Sequence, residues 1–411
     1  MTQQKPPIIT LDGSTGEGGG QVVRLATSLS ALTGIPVHIT NVRANREKKS
    51  KSGTVKGGGL KAQHTTGVKA LAQACGGTTE NVVVGASEFK LFPGGSETSL
   101  AFRQTENDIT IPAASAASAT LVFQALFPYL LFSKVREPKP VRLTIKGGTN
   151  VSFSPSFEYL DQVMLPTVEA WFGVPKVRRE VKKRGWNTGS AEVGVVEFEF
   201  TPVAAGRTLK FEKPGERGGV TKVDVTMLVP VEMRGEMELA VRRRLGGVVA
   251  GKEVEVVVDE GTGHAARVYV MLVAHTAGGV RLGVDCLYAK KTKGVSAKVI
   301  AEGVAGEVVG KLVKELERGG DVDEHLQDQL VVFQALAEGR SVVRGKHAGR
   351  QDESSELKKE RFEGSGPFGT GSNHTMTARW VADVFLKGKG VSWSTDGEEC
   401  EGVGWGKEES C

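Results

Sequence analysis

Apolar residues recur along most of the chain with the spacing of amphipathic helices, and short β-rich runs separate these segments. Residues 22–32 place an apolar side chain at every third or fourth position, and Gly34 and Pro36 follow, so we predict a helix there. Residues 36–42 then predict a strand. Further helices are predicted over residues 60–75, 114–132, 157–172, 295–316, 326–337 and 375–386, and further strands over residues 8–11, 81–85, 141–146, 193–200, 341–344 and 390–394.

The order of these elements recurs three times and predicts a layered α/β (α+β) fold in which helices pack on sheets. Between the second and third copies the chain is strand-rich, with β-runs at 208–211, 223–229, 254–258 and 268–273 and a basic helix near 237–245. We therefore predict three domains: 1–206 with the first two units, 207–290 as an inserted small α/β domain, and 291–411 with the third unit. Residues 345–373 lack apolar periodicity and predict a long loop ending at His374.

Composition is that of a folded globular protein. With 411 residues and 39% hydrophobic content the chain can bury a large core, which excludes global disorder. The N-terminus lacks a secretory signal, and the most apolar run, 121–132, is too short to span a bilayer. The four cysteines stand singly, without the paired spacing of a zinc or redox site. We expect a soluble protein in a reducing, intracellular setting.

Positive charge is concentrated in two places, although the net charge is only +5. Residues 43–61 hold seven basic residues against Glu47, and residues 176–184 hold six against Glu180. Such clusters are either solvated loops or contacts to a nucleic-acid backbone, and the sequence leaves both interpretations open.

A glycine-rich turn over residues 12–24 joins a predicted strand to a predicted helix. Free N–H groups at a helix start attract phosphate, although glycines also serve tight turns that need positive φ. The spacing matches neither the dinucleotide fingerprint nor the phosphate loop. Glu17 would repel phosphate unless a divalent cation lay between them, so it is a candidate magnesium ligand.

Among the seven histidines, His374 has the context of a nucleophile. It starts an amphipathic helix after a glycine-containing loop, and a helix N-terminus favours the neutral imidazole that can attack a phosphoryl group. Asp328 heads the preceding helix, where a carboxylate could hold ribose or orient the imidazole. Arg43 and Arg46 follow a strand and suit phosphate oxygens, or are surface arginines beside a lysine-rich loop.

Taken together and in this order, these residues resemble the RNA 3′-terminal phosphate cyclase family over most of the chain. The motifs that carry the resemblance are residues 11–24, Arg43-Ala-Asn-Arg46, Gln63-His64, Gly147-Gly-Thr149, residues 326–330 and His374-Thr-Met-Thr377. The resemblance implies three units, each with two helices and a four-stranded sheet, and an inserted domain of thioredoxin-like topology.

The resemblance also implies an ATP-dependent nucleotidyl-transfer enzyme of the ligase type. ATP, with Mg²⁺ or Mn²⁺, would adenylylate His374; AMP would pass to an RNA 3′-phosphate; and the neighbouring 2′-OH would then close a 2′,3′-cyclic phosphate. By motif matching, the metal and triphosphate contact is Glu17, the residues around adenosine are Gln124, Pro155, Asp328 and Gln329, and the residues that hold the RNA phosphate are Arg24, Arg43, Arg46 and Gln63. A nuclear location would follow for a eukaryotic source and a cytoplasmic one otherwise.

The chain departs from the family pattern in several places. A Lys/Gly-rich insertion separates Arg46 from Gln63, the loop before His374 is long, and His325 stands where relatives often have tyrosine. Two other functions remain to be weighed. A cyclase-like factor of pre-rRNA processing shares the fold but lacks the nucleophilic histidine, and an enolpyruvyl transferase uses a related repeated scaffold. His374 argues against the first, and the paired arginines favour RNA over the second.

Overall fold

The computed structural model describes residues 6–46, 48–49, 55–56, 58–94, 108–112, 117–132, 139–213, 215–290, 292–345 and 368–407. Its helices are α1 (Gly20–Thr33), α2 (Ala62–Ala74), α3 (Ala119–Leu131), α4 (Phe157–Tyr159, a π-helical turn Leu160–Met164, and Leu165–Phe172), α5 (Arg234–Gly246), α6 (Ala297–Arg318), α7 (Glu324–Leu336) and α8 (Asn373–Leu386). Within these ranges no helix is both long enough and apolar enough to cross a bilayer.

Seventeen strands accompany the helices in the described ranges. They are β1 (Ile9–Asp12), β2 (Val37–Thr40), β3 (Lys48–Lys49), β4 (Val55–Lys56), β5 (Thr78–Glu80), β6 (Phe89–Phe92), β7 (Asp108–Ile111), β8 (Val141–Gly147), β9 (Arg178–Lys183), β10 (Gly194–Phe200), β11 (Val220–Val229), β12 (Glu253–Gly261), β13 (Tyr269–Thr276), β14 (Arg281–Leu287), β15 (Glu338–Val342), β16 (Ser392–Trp393) and β17 (Glu399–Val403).

The first two sheets have the same topology. Their orders are β1-β2-β6-β5 and β7-β8-β10-β9, and in each the first two strands are parallel while the others pair antiparallel. A helix follows the first strand and another follows the second, so each unit has two helices on a four-stranded sheet. This confirms the repeated α+β fold that the sequence predicted.

The third sheet shows three strands in the described part of the chain, in the order β15-β17-β16. A parallel bridge between Lys210 and Glu338 occupies the place of its missing first strand, and the Glu338 N–H donates to the Leu209 carbonyl at 2.8 Å. The run 208–211, which the sequence pattern assigned to the inserted domain, therefore pairs with the third unit. The resemblance implies four strands in this sheet. In the described residues the strand that would come first is reduced to this single bridge.

The inserted sheet has the order β12-β11-β13-β14, with β11 and β12 parallel and the other pairs antiparallel. Helix α6 packs on α5, β13 and β14. The sequence pattern counted this helix with the third unit, whereas it packs on the inserted sheet, because an amphipathic stripe does not reveal which sheet covers it. The domain boundaries at residues 206/207 and 290/291 stay predictions, because contacts between elements do not show at which residue one domain ends and the next begins.

The helices of the three units share one core, with the sheets outside them. Helix α1 packs on α2, α3 and α8, and α7 packs on α8 and on α4. Large apolar side chains fill the centre: the rings of Phe123 and Phe127 lie 4.7 Å apart, and Phe127 reaches Phe333 of the third unit at 6.2 Å. Because α1, α7 and α8 are neighbours in this core, side chains from the first and third units can meet at the helix ends.

Two segments differ from the sequence-based expectation. Residues 81–85 form a turn between β5 and β6 instead of a strand, because Asn81 adopts φ 56° and ends the extended run. The second basic cluster forms strand β9, and its cations have acidic partners. These ion pairs are Lys176–Glu169, Arg178–Glu199, Arg179–Asp161, Arg179–Glu169, Lys182–Glu180, Lys183–Glu192 and Arg184–Glu158. Within the first basic cluster, residues 47, 50–54 and 57 lie outside the described residues.

Two glycines offer a stability test of the inserted sheet. A Cβ on Gly283 of β14 would lie 2.7 Å from Val163 Cγ2 and 3.0 Å from Tyr159 Cε2, both on α4, whereas a Cβ on Gly310 of α6 would meet open space. We expect Gly283→Ala to lower the free energy of unfolding by about 1–3 kcal/mol through overpacking. Gly310→Ala should raise it by about 0.5–1 kcal/mol through helix propensity. Urea denaturation measures both, and an unchanged Gly283→Ala would contradict the close packing.

Candidate active site

The glycine-rich loop between β1 and α1 brings Glu17 to the helix of His374. Gly16 and Gly18 adopt φ 62° and 59°, the left-handed region that glycine enters without strain. A Cβ on Gly19 would lie 2.0 Å from Glu17 Oε1, so the carboxylate fills the space that a larger residue would need. The Glu17 N–H donates to Thr377 Oγ1 on α8 at 2.8 Å. The loop is thus tied across the interface between the first and third units.

His374 is oriented through a chain of two hydrogen bonds, which we call the His374–Gln21–Asp328 relay. The Gln21 amide donates through Nε2 to Asp328 Oδ2 at 2.8 Å, and its Oε1 lies 2.6 Å from His374 Nδ1. An amide oxygen can only accept, so Nδ1 carries a proton, and in the neutral imidazole Nε2 then keeps its lone pair. Burial raises the pKa of Asp328, and nearby His374 and Arg24 oppose that rise. The carboxylate thus acts on the imidazole through Gln21.

Nε2 of His374 faces the carboxylate of Glu17. The distance from Nε2 to Glu17 Oε1 is 3.9 Å, and the same oxygen is paired with Arg46. The other oxygen, Oε2, is buried and has no partner among the described residues. A buried carboxylate oxygen without a described partner, close to His374, fits a magnesium ion that takes its other ligands from phosphate and water. In the ranges described, no three His, Cys, Asp or Glu side chains cluster as a metal cage.

Two further arginines lie beside a buried histidine at the edge of this site. Burial lowers the pKa of both Arg24 and Arg43, and the Glu17 charge opposes that fall in each. The pKa of His64 is held well below its usual value, first by burial and then by the charges of Arg24 and Arg43. The Lys61 N–H donates to His64 Nδ1 at 3.1 Å. His64 is therefore neutral, with its proton on Nε2.

The residues that the resemblance places around adenosine lie where α3 and α7 meet. Gln124 Nε2 donates to Gln329 Oε1 at 2.9 Å, and Asp328 is the neighbour of Gln329. The Pro155 carbonyl accepts from Thr120 Oγ1 at 2.7 Å, one helical turn before Gln124. The second unit therefore borders the site as well.

The structure thus gathers most of the predicted site residues. Glu17, Arg46, Asp328 and His374 form one connected group, Arg24 and Arg43 lie beside it, and Gln63 is half-buried on the first turn of α2. Sequence reasoning gave no role to Gln21, His64 or Thr377, although all three stand inside the motifs. The position of Gln21, in the first turn after a glycine-rich loop, was the available signal. Individual roles stay predictions.

The histidine, the carboxylate and the arginines that meet at the helix ends of the repeated α/β units are groups suited to binding and transferring phosphate. The family model for RNA 3′-terminal phosphate cyclase matches residues 15–388, and the chain belongs to this family. It is 33% identical over 383 residues to the protein named RNA 3′-terminal phosphate cyclase from Thermococcus kodakarensis, covering 92% of each chain. It is 32% identical over 347 residues to the protein of that name from Desulfurococcus amylolyticus, covering 82% of this chain and 87% of the relative.

Proposed function

We propose that the chain converts RNA 3′-phosphate ends to 2′,3′-cyclic phosphates at the expense of ATP, through an AMP bond to His374. The observation that carries the proposal is the hydrogen bond of 2.6 Å between His374 Nδ1 and Gln21 Oε1, which leaves Nε2 free to attack. Membership of the cyclase family supports the same reaction.

The proposed reaction has three steps. His374 Nε2 attacks the α-phosphorus of ATP, and the bond to pyrophosphate breaks. An oxygen of the RNA 3′-phosphate then attacks the phosphorus of the histidine adenylate, which frees the imidazole and leaves AMP joined to the RNA phosphate. The adjacent 2′-OH finally attacks the RNA phosphorus, loses its proton and expels AMP. Adenylylation converts an unreactive phosphate into one with a good leaving group.

Each residue group has a task that follows from its position. Glu17 would hold Mg²⁺ through its unpartnered oxygen, and the ion would offset charge on the phosphates. Arg24, Arg43 and Arg46 would bind the RNA phosphate, since guanidinium groups pair with phosphate oxygens. The adenosine would lie against Gln124, Pro155, Asp328 and Gln329, beside the relay.

The proposal is tested with RNA oligonucleotides that end in 3′-phosphate or in 3′-OH. With ATP and magnesium, we expect the 3′-phosphate RNA to gain a cyclic end that resists phosphatase, with one AMP released per end, and the 3′-OH RNA to stay unchanged. Inertness of both substrates with folded protein would contradict the proposal. That outcome would favour the alternative, a cyclase-like factor that acts in pre-rRNA processing without catalysis. The predicted compartment, nucleus or cytoplasm, is tested separately by localisation of the protein in cells.

A further inference from the structure

Phe153 is an exposed aromatic residue in a strained position. It lies in the loop between β8 and α4, and its relative exposure of 105% is the largest among the exposed large apolar residues described. Its φ is 63°, in the left-handed region that a bulky residue adopts only when its surroundings impose it. The strain opposes folding, the exposed ring adds nothing to the core, and strained positions cluster at binding sites.

The loop that presents Phe153 is fastened on both sides. On one side the Ser152 N–H donates to Asn187 Oδ1 at 3.2 Å. On the other, the Pro155 carbonyl accepts from Thr120 Oγ1 at 2.7 Å. The backbone that carries the ring is therefore fixed before any ligand binds. Ligand binding then does not have to order this loop, which lowers its entropic cost.

The repeat relates this loop to two loops of the active site. In every unit it is the connection between the second strand and the second helix. In the first unit this connection carries Arg43 and Arg46, with Arg43 at φ 59°, and in the third it ends at His374. Glu17 already joins Arg46 and His374 at one end of the shared helical core. The same topology places Phe153 on that end, on the side of the second unit.

The full exposure of Phe153 indicates which kind of ligand it can bind. Small molecules bind in concave sites that enclose most of their surface, roughly 70–90%, whereas Phe153 stands clear of the protein. Exposed aromatic rings beside basic groups are the means by which proteins bind single-stranded nucleic acid, because every base has a face that can stack. In the proposed function the arginines of the first unit bind the phosphate, so a ring at the same end of the helical core is suited to a base.

We propose that Phe153 is a stacking platform for an unpaired base near the 3′-phosphate end of the RNA. The inference rests on the proposed function in naming RNA as the partner. It goes further by assigning base stacking to the second unit and phosphate binding to the first.

The direct test is binding of a fluorescent single-stranded RNA with a 3′-phosphate, measured by anisotropy without ATP. Phe153→Ala should weaken binding about tenfold, equivalent to about 1.4 kcal/mol, and Phe153→Trp should keep the affinity. Leu239→Ala, at another exposed apolar position on α5, is the matched control and should bind normally. Adenylylation of the protein by ATP should be unchanged in Phe153→Ala.

Abasic RNA separates stacking from an indirect effect. Removing the bases of the last three nucleotides should weaken binding to the wild type about tenfold and binding to Phe153→Ala hardly at all, because both changes delete the same contact. Equal losses for both proteins, or normal RNA affinity of Phe153→Ala, would overturn the proposal. A parallel loss of adenylylation would overturn it too, by assigning the ring to adenine.

Phe153→Gly supplies a second variant whose folding is not in question. Glycine adopts φ 63° freely, so the urea midpoint should rise while RNA affinity falls as in Phe153→Ala. A variant that gained stability and kept its affinity would overturn the inference. If the wild type binds RNA but forms no cyclic ends, the proposed reaction fails while these binding comparisons still decide the role of Phe153.

Discussion

We expect His374→Ala to abolish AMP transfer to the protein. After incubation with radiolabelled ATP and magnesium, the wild type should carry acid-labile AMP, and the variant should carry less by at least roughly 10³-fold, because no other group replaces a nucleophile. The side chain is 46% exposed, so the variant should fold with little change in stability. Filter binding after denaturation measures the label.

Two controls accompany this experiment: a variant of another histidine, and an RNA substrate that enters the reaction after the histidine step. His264→Ala, in the inserted domain, should be labelled like the wild type. RNA that already carries AMP on its 3′-phosphate should be cyclised by His374→Ala, because the last step needs no histidine adenylate. Undiminished labelling of His374→Ala would show that another residue is the nucleophile, and failure on the activated RNA would give His374 a second task.

Gln21→Leu should slow adenylylation about 10²-fold while leaving the KM for ATP nearly unchanged. Leucine has similar volume but cannot accept from His374 Nδ1, so the ring loses the contact that fixes both its orientation and its tautomer. A fall in kcat at constant KM is expected of a group that positions the nucleophile without binding the nucleotide. Single-turnover labelling at several ATP concentrations gives the maximal rate constant and the half-saturating ATP concentration, which take the place of kcat and KM for this step.

Two companion variants control for this result. Gln21→Glu keeps an acceptor for Nδ1–H and should recover part of the rate, although it places a second carboxylate beside Asp328. Ser28→Ala, in the same helix, removes a buried hydroxyl that has no partner among the described residues and should leave both rate and stability intact. A large rise in KM for Gln21→Leu would instead place the amide in nucleotide binding.

The sequence predicted the helices well because their apolar stripes are long. The helix predicted over residues 22–32 extends over Gly20–Thr33 in the structure, and the helix predicted over residues 375–386 extends over Asn373–Leu386. Strands were harder to predict. Strand β9, Arg178–Lys183, is mostly charged and lacks an apolar alternation, and the order of strands within a sheet depends on contacts far apart in the chain.

The same distinction applies to the site. His374 and Glu17 were predictable because a histidine at a helix start and a carboxylate in a glycine-rich turn are locally unusual. Gln21 was not, since a neutral amide gives no charge signal and its partners lie more than 300 positions away. The neutrality of His64 depends on its burial against Arg24, which appears only when helices α1 and α2 pack together.

The bridge between Lys210 and Glu338 has a consequence for how the enzyme is made. The chain enters the third sheet at Leu209, leaves to build the whole inserted layer, and returns with α7 and β15. During synthesis the first two units can close while the third waits for more than a hundred further residues. Because His374 lies on α8, the last α-helix in the described residues, a nascent or truncated chain that ends before α8 has Arg24, Arg43 and Arg46 without His374. Under the proposed mechanism, only a chain that includes α8 can therefore react with ATP at His374.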